Sequence, residues 1–209
     1  MRYLHSDRAV IPMLLGVAVA AASGFGLLTY AVAGRKTSYA DGRTRRHFPK
    51  RRRRATKRAA AAFGPIGKEW VHAPIAAGVA AYAWHRGAGA ASIVPPLASV
   101  TAVAMSKSFE RWMPHRSPPP GRHSPTEPSF PSGHSLETLA VAGASVWVLV
   151  REELVSARIA APIALGVPVV SGIGRLYLDR HWTTDVVAGW LAGLSIAAAC
   201  AATYETLRA

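Results

Sequence analysis

The stretch from Ala9 to Gly34 holds 26 residues without a charge, bracketed by Arg8 and Arg35. A helix needs roughly 20 such residues to cross the hydrocarbon core of a bilayer, so this run alone predicts a membrane span. A cleaved secretory leader is the rival reading, because Arg2 and Arg8 precede the run and Ala31-Val32-Ala33 resembles a cleavage site. The run is too long for a leader's apolar core of about 7–15 residues, which favours a retained helix. Five more apolar runs follow: Trp70–Trp84, Gly87–Ser106, Ser135–Val150, Ile159–Gly174 and Val186–Tyr204. Several are shorter than a span, and runs of about 10–14 residues are often buried helices of soluble domains. Their richness in Ala, Gly and Val suits close helix contacts in lipid. Their ends carry Trp, Tyr, His and Arg, which sit at the interface or snorkel toward it. The expected fold is therefore all-α, an integral membrane bundle of about six transmembrane helices.

Charge is segregated from these runs. Only 17% of the residues are charged, against about 25% in a soluble domain, yet Lys and Arg number 25 against 11 acids. Thirteen of those cations lie between Arg35 and Lys68, with Lys50 to Arg54 unbroken. Three parts result: residues 1–34 as N-terminus and first span, 35–68 as a basic loop or interfacial helix, and 69–209 as the core with five spans. Ala55 to Gly67 is expected to lie along the interface, basic on one side and apolar through Phe63 and Ile66 on the other. The run Lys50–Arg54 is assigned to anionic lipid headgroups, worth about 1 kcal/mol per residue near a membrane surface. Nucleic acid is not expected as a partner, since no reading module accompanies the run. The single cysteine, Cys200, forms no intramolecular disulfide, and no Cys/His cluster has zinc spacing. No metal or cofactor is expected, and the sequence carries no signal for an oligomeric state.

The chemistry-bearing residues fall at the ends of the apolar runs. Lys107 closes the third, Ser132-Gly133-His134 opens the fourth, Arg175 closes the fifth, and His181 with Asp185 opens the sixth. In a serial bundle these four ends lie on one membrane face, so the topology gathers them at one site. A helix N-terminus offers unpaired N–H groups and partial positive charge to an anion. Gly133 allows close backbone approach, and Ser132 adds a hydroxyl donor. If the stretch is helical, His181 and Asp185 share a face, so Asp185 accepts from one ring nitrogen and leaves the other as nucleophile. Taken alone, that pair reads as a helix cap. With a second His and several cations it suits phosphoryl transfer: one His attacks phosphorus, the other protonates the leaving oxygen, and cations hold the oxyanions. The loop from Glu110 to Pro131 contains seven prolines, which exclude helix and central strand. His72 is read as an interfacial or packing histidine, Tyr177 and Trp182 as interface anchors, and Glu137 as part of a helix start.

Pro131-Ser132-Gly133-His134 and Gly174-Arg175 with His181 and Asp185 resemble the second and third signature motifs of the type-2 phosphatidic acid phosphatase superfamily. That group holds membrane lipid phosphatases and soluble vanadium haloperoxidases. The resemblance implies metal-independent hydrolysis of a phosphomonoester or pyrophosphate on a membrane lipid through a phosphohistidine. It casts His181 as nucleophile, Asp185 as its partner and His134 as general acid. It casts Lys107, Arg116, Ser132, Gly133 and Arg175 as substrate-binding residues. Two positions depart from the pattern. The third motif usually begins Ser-Arg, and here Gly174 stands at the Ser. In the first motif six residues usually separate Lys from Arg-Pro; here eight separate Lys107 from Arg116-Ser117-Pro118, so Arg111 and Arg122 are alternatives for that arginine.

Fold-level analogy points to a polyprenyl substrate such as a decaprenyl-phosphoribose 5-phosphate. The alternatives are phosphatidic acid, phosphatidylglycerol phosphate or undecaprenyl pyrophosphate. A haloperoxidase-like enzyme is disfavoured by the apolar spans, and a non-catalytic phospholipid-binding protein by the intact His134, His181 and Asp185. Loops on the site's side carry 19 Lys and Arg, against 6 on the other side. The positive-inside rule then predicts a multi-pass plasma-membrane protein with a cytoplasmic active site.

Overall fold

The structure, a computed structural model, describes residues 9–48, 54–120 and 128–208. These form eight α-helices: α1 (Val10–Ala33), α2 (Ser38–Arg46), α3 (Arg54–Ala62), α4 (Glu69–His85), α5 (Val94–Trp112), α6 (Gly133–Arg151), α7 (Ala157–Tyr177) and α8 (Thr183–Arg208). A 3₁₀ turn, Gly64–Gly67, precedes α4, and a second, Gly89–Ile93, runs into α5. Of the proline-rich loop expected over Glu110–Pro131, the first three residues close α5, and the described residues from Met113 onward form no helix.

Five helices are long and apolar enough to cross a membrane: α1, Gly89–Trp112 as one unit, α6, α7 and α8. The sixth expected run forms α4, whose 17 residues extend about 26 Å, a few ångströms less than the hydrocarbon core. Between its polar ends, Glu69 and His85, the exposed residues are nonetheless apolar or aromatic, including Trp70, Ile75, Tyr82 and Trp84. Such an outward apolar face belongs among lipid tails and interface rather than in water.

The bundle is organised around α8. Its Gly189 and Gly193 lie against the backbone of α6: a Cβ on either would stand 2.6 Å from the carbonyl oxygen of Ser132 or Leu136. Small residues at such crossings let two backbones approach and multiply dispersion contacts, the main attraction between helices in lipid. Because Gly189 faces Ser132–Leu136 and Gly193 faces Leu136–Ala140, α6 and α8 run parallel and start at the same end. α7 runs antiparallel to α8, with Trp190 donating to the Pro168 carbonyl (3.1 Å) and Gly172 against Val186. α1 also runs antiparallel to α8: Ser195 donates to the Ala18 carbonyl (3.0 Å), and Gly24 meets Leu191. Leu14, Ala18, Ala21, Phe25 and Val32 of α1 are buried, so this helix is an integral part of the core. Phe25 packs edge-on against Phe109 of α5 and stacked with Phe130, which precedes the Pro-Ser-Gly-His turn.

The described parts of the basic segment, 35–48 and 54–68, fold onto one end of the bundle. The amphipathic helix expected over Ala55–Gly67 spans Arg54–Ala62 instead. Pro65 disfavours helical backbone at the residue before it, and the chain tightens into the 3₁₀ turn. Upstream, α2 docks on the start of α8 through a Thr44–Thr183 hydroxyl contact (2.8 Å) and an Arg45–Asp179 ion pair (3.3 Å). Of the run Lys50–Arg54, all but Arg54 lie outside the described residues.

Candidate active site

The C-termini of α5 and α7 and the N-termini of α6 and α8 meet at one end of the bundle. There they line a cavity of about 470 Å³ with Lys107, Gly133, His134, Arg175 and His181. Five of the eight expected site residues are thus gathered. The other three, Asp185, Ser132 and Arg116, stand behind its wall.

His181 precedes α8 rather than lying on it, since the helix starts at Thr183. The cause is local: the Asp185 carboxylate accepts the Trp182 backbone N–H (2.7 Å), closing a capping turn that leaves His181 outside. The expected His181–Asp185 hydrogen bond is accordingly absent, with Nδ1 and Oδ2 4.0 Å apart. His181 Nδ1 donates instead to the Ser129 carbonyl (2.7 Å). A carbonyl only accepts, so Nδ1 carries the proton and Nε2 the lone pair. Burial pushes the His181 pKa down to about 4, opposed by the Ser129 hydrogen bond and assisted by Arg175 and Arg180. The imidazole is therefore neutral at pH 7, as an attacking nitrogen must be.

Asp185 is fully buried and serves as an anchor. Its carboxylate also receives Arg116 Nη1, and its backbone carbonyl accepts the Ser132 N–H (3.0 Å), which joins the second motif to the third. Ser132 is likewise buried, its hydroxyl receiving that of Ser135 (3.0 Å), so it shapes the start of α6 without reaching the cavity. Arg116 departs furthest from expectation. Its guanidinium bonds Asp41 Oδ2 (2.5 Å), Thr184 Oγ1 (2.8 Å) and Asp185, and lies 5.7 Å from the Trp182 ring centre. Two buried carboxylates hold it in place. Its backbone carbonyl accepts from Ser129 N (2.8 Å), the residue that orients His181. Arg111 is exposed and away from the cavity, and Arg122 lies outside the described residues. Trp182 does not act as a free anchor, since its indole N–H donates to the Ser117 carbonyl (2.9 Å).

His134 lines the cavity from the first turn of α6, and its Nε2 is buried without a hydrogen-bond partner among the described residues. An unpaired buried polar atom is costly unless something occupies the site, and a phosphoester oxygen is a fitting partner. Arg175 is buried and donates to the Gly64 carbonyl (3.1 Å). Lys107 pairs with Glu69 at the start of α4 (3.0 Å).

Several residues escaped the sequence reading. Asp41 is 1% exposed and accepts from Arg116, from Thr184 N (3.0 Å) and from Thr184 Oγ1 (2.8 Å). His72 is buried between Ser99 Oγ (3.1 Å) and Glu137 Oε2 (2.7 Å), and Glu137 lines the cavity. Lys68 lines it as well, as does Arg180, which the sequence already places beside His181 as a residue able to shape the site. The only available signal was sign: Asp41 is the lone acid among the 13 cations of residues 35–68. Among the described residues no group of three or more His, Cys, Asp or Glu is placed to hold a metal ion.

A multi-pass helical bundle with two histidines and several cations around one membrane-face cavity defines a membrane phosphatase class. Residues 88–209 match the family described as the PAP2 superfamily; the chain belongs to that superfamily and is a lipid phosphatase. Among solved structures, its fold is similar to that of a transmembrane PAP2-type phosphatidylglycerolphosphate phosphatase from Bacillus subtilis. That likeness has a TM-score of 0.74 at 22% identity, covering 86% of this chain and 91% of the other. No curated protein sequence matches the chain significantly.

Proposed function

We propose that the enzyme hydrolyses a terminal phosphomonoester on a lipid headgroup through a phosphohistidine at His181. The observation that carries this reading is the Ser129 carbonyl on His181 Nδ1 (2.7 Å), which leaves Nε2 as the basic nitrogen of a residue lining the cavity. Nε2 attacks phosphorus as the bond to the leaving alkoxide breaks, and His134 gives that oxygen its proton. Water then attacks the phosphohistidine with His134 as base, releasing phosphate and regenerating His181. Arg175, Lys107 and the N–H groups at the start of α6 stabilise the oxyanions. Asp185 and Arg116 hold the His181 turn in position.

The substrate class follows from the chemistry of the site and from the named activity of the similar structure. Phosphatidylglycerol phosphate and a polyprenyl phosphoribose 5-phosphate share a terminal phosphomonoester joined through an alcohol unit to a lipid phosphodiester. The test is phosphate release by detergent-purified protein, in EDTA, from both of these, phosphatidic acid and undecaprenyl pyrophosphate. Wild type is expected to release phosphate, with the His181→Ala variant silent; equal release by the variant would remove the phosphohistidine.

The cation bias supports a cytoplasmic site in the plasma membrane. Ser117, exposed beside the site, becomes a probe as Ser117→Cys in a Cys200→Ala background. Protection from impermeant thiol reagents in intact cells is expected, and labelling would reverse the orientation. The cations of α3 and the run before it are assigned to anionic headgroups; activity should rise with the anionic fraction of the vesicles, and independence of it would remove that role.

A further inference from the structure

We propose that Lys68 and Arg180 complete the phosphate clamp of this cavity, in the role that Arg116 leaves vacant. The inference rests on the functional reading above and names two further substrate-binding residues for it.

The first observation is that Arg116 is already committed. It meets the Asp41 and Asp185 carboxylates and the Thr184 hydroxyl, and it borders a different cavity with Met113 and His115. To reach an oxyanion it would have to abandon two buried carboxylates, leaving both uncompensated. The second is that the expected cations are partly spent. Lys107 is paired with Glu69, and Arg175 gives one donor to the Gly64 carbonyl. A transferring phosphoryl group spreads its charge over three equatorial oxygens, so the cavity needs additional donors.

Lys68 and Arg180 are placed to supply them. Both line the cavity, and among the described residues neither pairs with an acid. Gly67 sits so tightly on the His134 ring that an added Cβ would lie 2.6 Å from Cδ2; Lys68 follows directly. Arg180 directly precedes His181, and its N–H donates to the Arg175 carbonyl (3.0 Å). One cation therefore springs from beside the proton donor and the other from beside the nucleophile, bracketing the position of the phosphoryl group. The lowered pKa of His181, to which Arg175 and Arg180 both contribute, agrees with that proximity.

The test measures orthophosphate binding to the full-length detergent-solubilised protein by ³¹P NMR titration, a readout independent of turnover. Lys68→Met and Arg180→Gln should each weaken binding about tenfold or more, the scale of a lost charge-assisted hydrogen bond. Thermal midpoints should be unchanged, and Lys68→Arg should recover most of the affinity. Arg111→Gln, at an exposed residue outside the cavity, should leave phosphate affinity within about threefold of wild type, because it removes no clamp donor. Wild-type affinity in Lys68→Met and Arg180→Gln overturns the proposal, as does a tenfold loss in Arg111→Gln equal to theirs. If wild type binds phosphate in this residue-dependent way yet releases none from any lipid, the clamp stands and the functional reading fails. If lipid phosphate is released while both variants bind normally, the reverse holds.

Discussion

Replacing Gly67 with alanine tests the site where its geometry is tightest. The new Cβ would stand 2.6 Å from His134 Cδ2 and 2.7 Å from its Cβ and Cγ. Carbon atoms in contact prefer about 3.5–4.0 Å, so the ring or the 3₁₀ turn must retreat by roughly 1 Å. His134 Cβ is fixed by the first turn of α6, and the imidazole is not the far end of a flexible chain, so the displacement falls on the proton donor. A misplacement of about 1 Å at a catalytic group costs on the order of 10²-fold in rate, within the 10²–10⁴-fold that general acid–base catalysis supplies. Gly67 does not occupy the left-handed region, so alanine adds no backbone strain and should not lower stability through the backbone. Expected is a kcat reduced about 10²-fold, with KM and thermal midpoint near wild type. Gly78→Ala is the matched control: it lies on α4 with nothing within 4 Å of its Cβ, and it should retain full activity. A Gly67→Ala enzyme within twofold of wild-type kcat would refute the placement of the turn on His134, and with it the role of residues 64–67 as a wall of the site.

Two further predictions concern protonation and the buried ion pairs. With its pKa lowered to about 4, His181 is neutral in the folded protein between about pH 4 and pH 6.5, where a free imidazole takes up its proton. Carbethoxylation of His181, followed by peptide mass spectrometry, should reach half its maximal rate near pH 4; a midpoint near 6.5 would show an exposed ring. Asp41→Asn removes one of the two carboxylates holding Arg116 and should destabilise the protein by about 3–5 kcal/mol, the cost of breaking a buried pair. For a chain of this size that lowers the thermal midpoint in detergent by roughly 10 °C, and an unchanged midpoint would exclude the Asp41–Arg116 contact.

The parts of this molecule legible in its sequence depend on local patterning or on serial topology. Uncharged runs mark helices because unpaired backbone groups cannot face lipid. Once the runs are helices, their alternating direction brings Lys107, His134, Arg175 and His181 to one end without any knowledge of tertiary contacts. What stayed hidden depends on pairings between distant segments. Asp41 reads as a lone acid in a basic stretch until α2 is seen to reach Thr184, 143 residues away. The Ser129 carbonyl takes the proton expected to go to Asp185, because backbone acceptors leave no mark in side-chain motifs. His72 and Glu137 resemble ordinary helix residues until α4 and α6 bring them within 2.7 Å. α4 covers the expected run Trp70–Trp84 with one more residue at each end, and its 17 residues fall a little short of a full span.

The displacement of Arg116 follows from a spacing visible in the sequence. Eight residues separate it from Lys107, two more than in the family pattern it resembles. α5 ends at Trp112, and Met113 is extended, so the extra residues fall in non-helical chain. Two extended residues add about 6–7 Å of reach, enough to carry the guanidinium past the cavity to the junction of α2 and α8. There it meets Asp41, which has no other buried positive partner among the described residues, and Asp185, whose charge must be compensated once water is excluded. The same residue then acts on the reaction from behind the wall: its side chain holds Asp185, and its backbone carbonyl holds the Ser129 N–H opposite the carbonyl that orients His181. On the proposed mechanism, a longer loop thus converts a residue expected to bind substrate into one that positions the nucleophile. On the same proposal, the oxyanions are left to cations that enter the cavity from the start of α4 and the turn before α8.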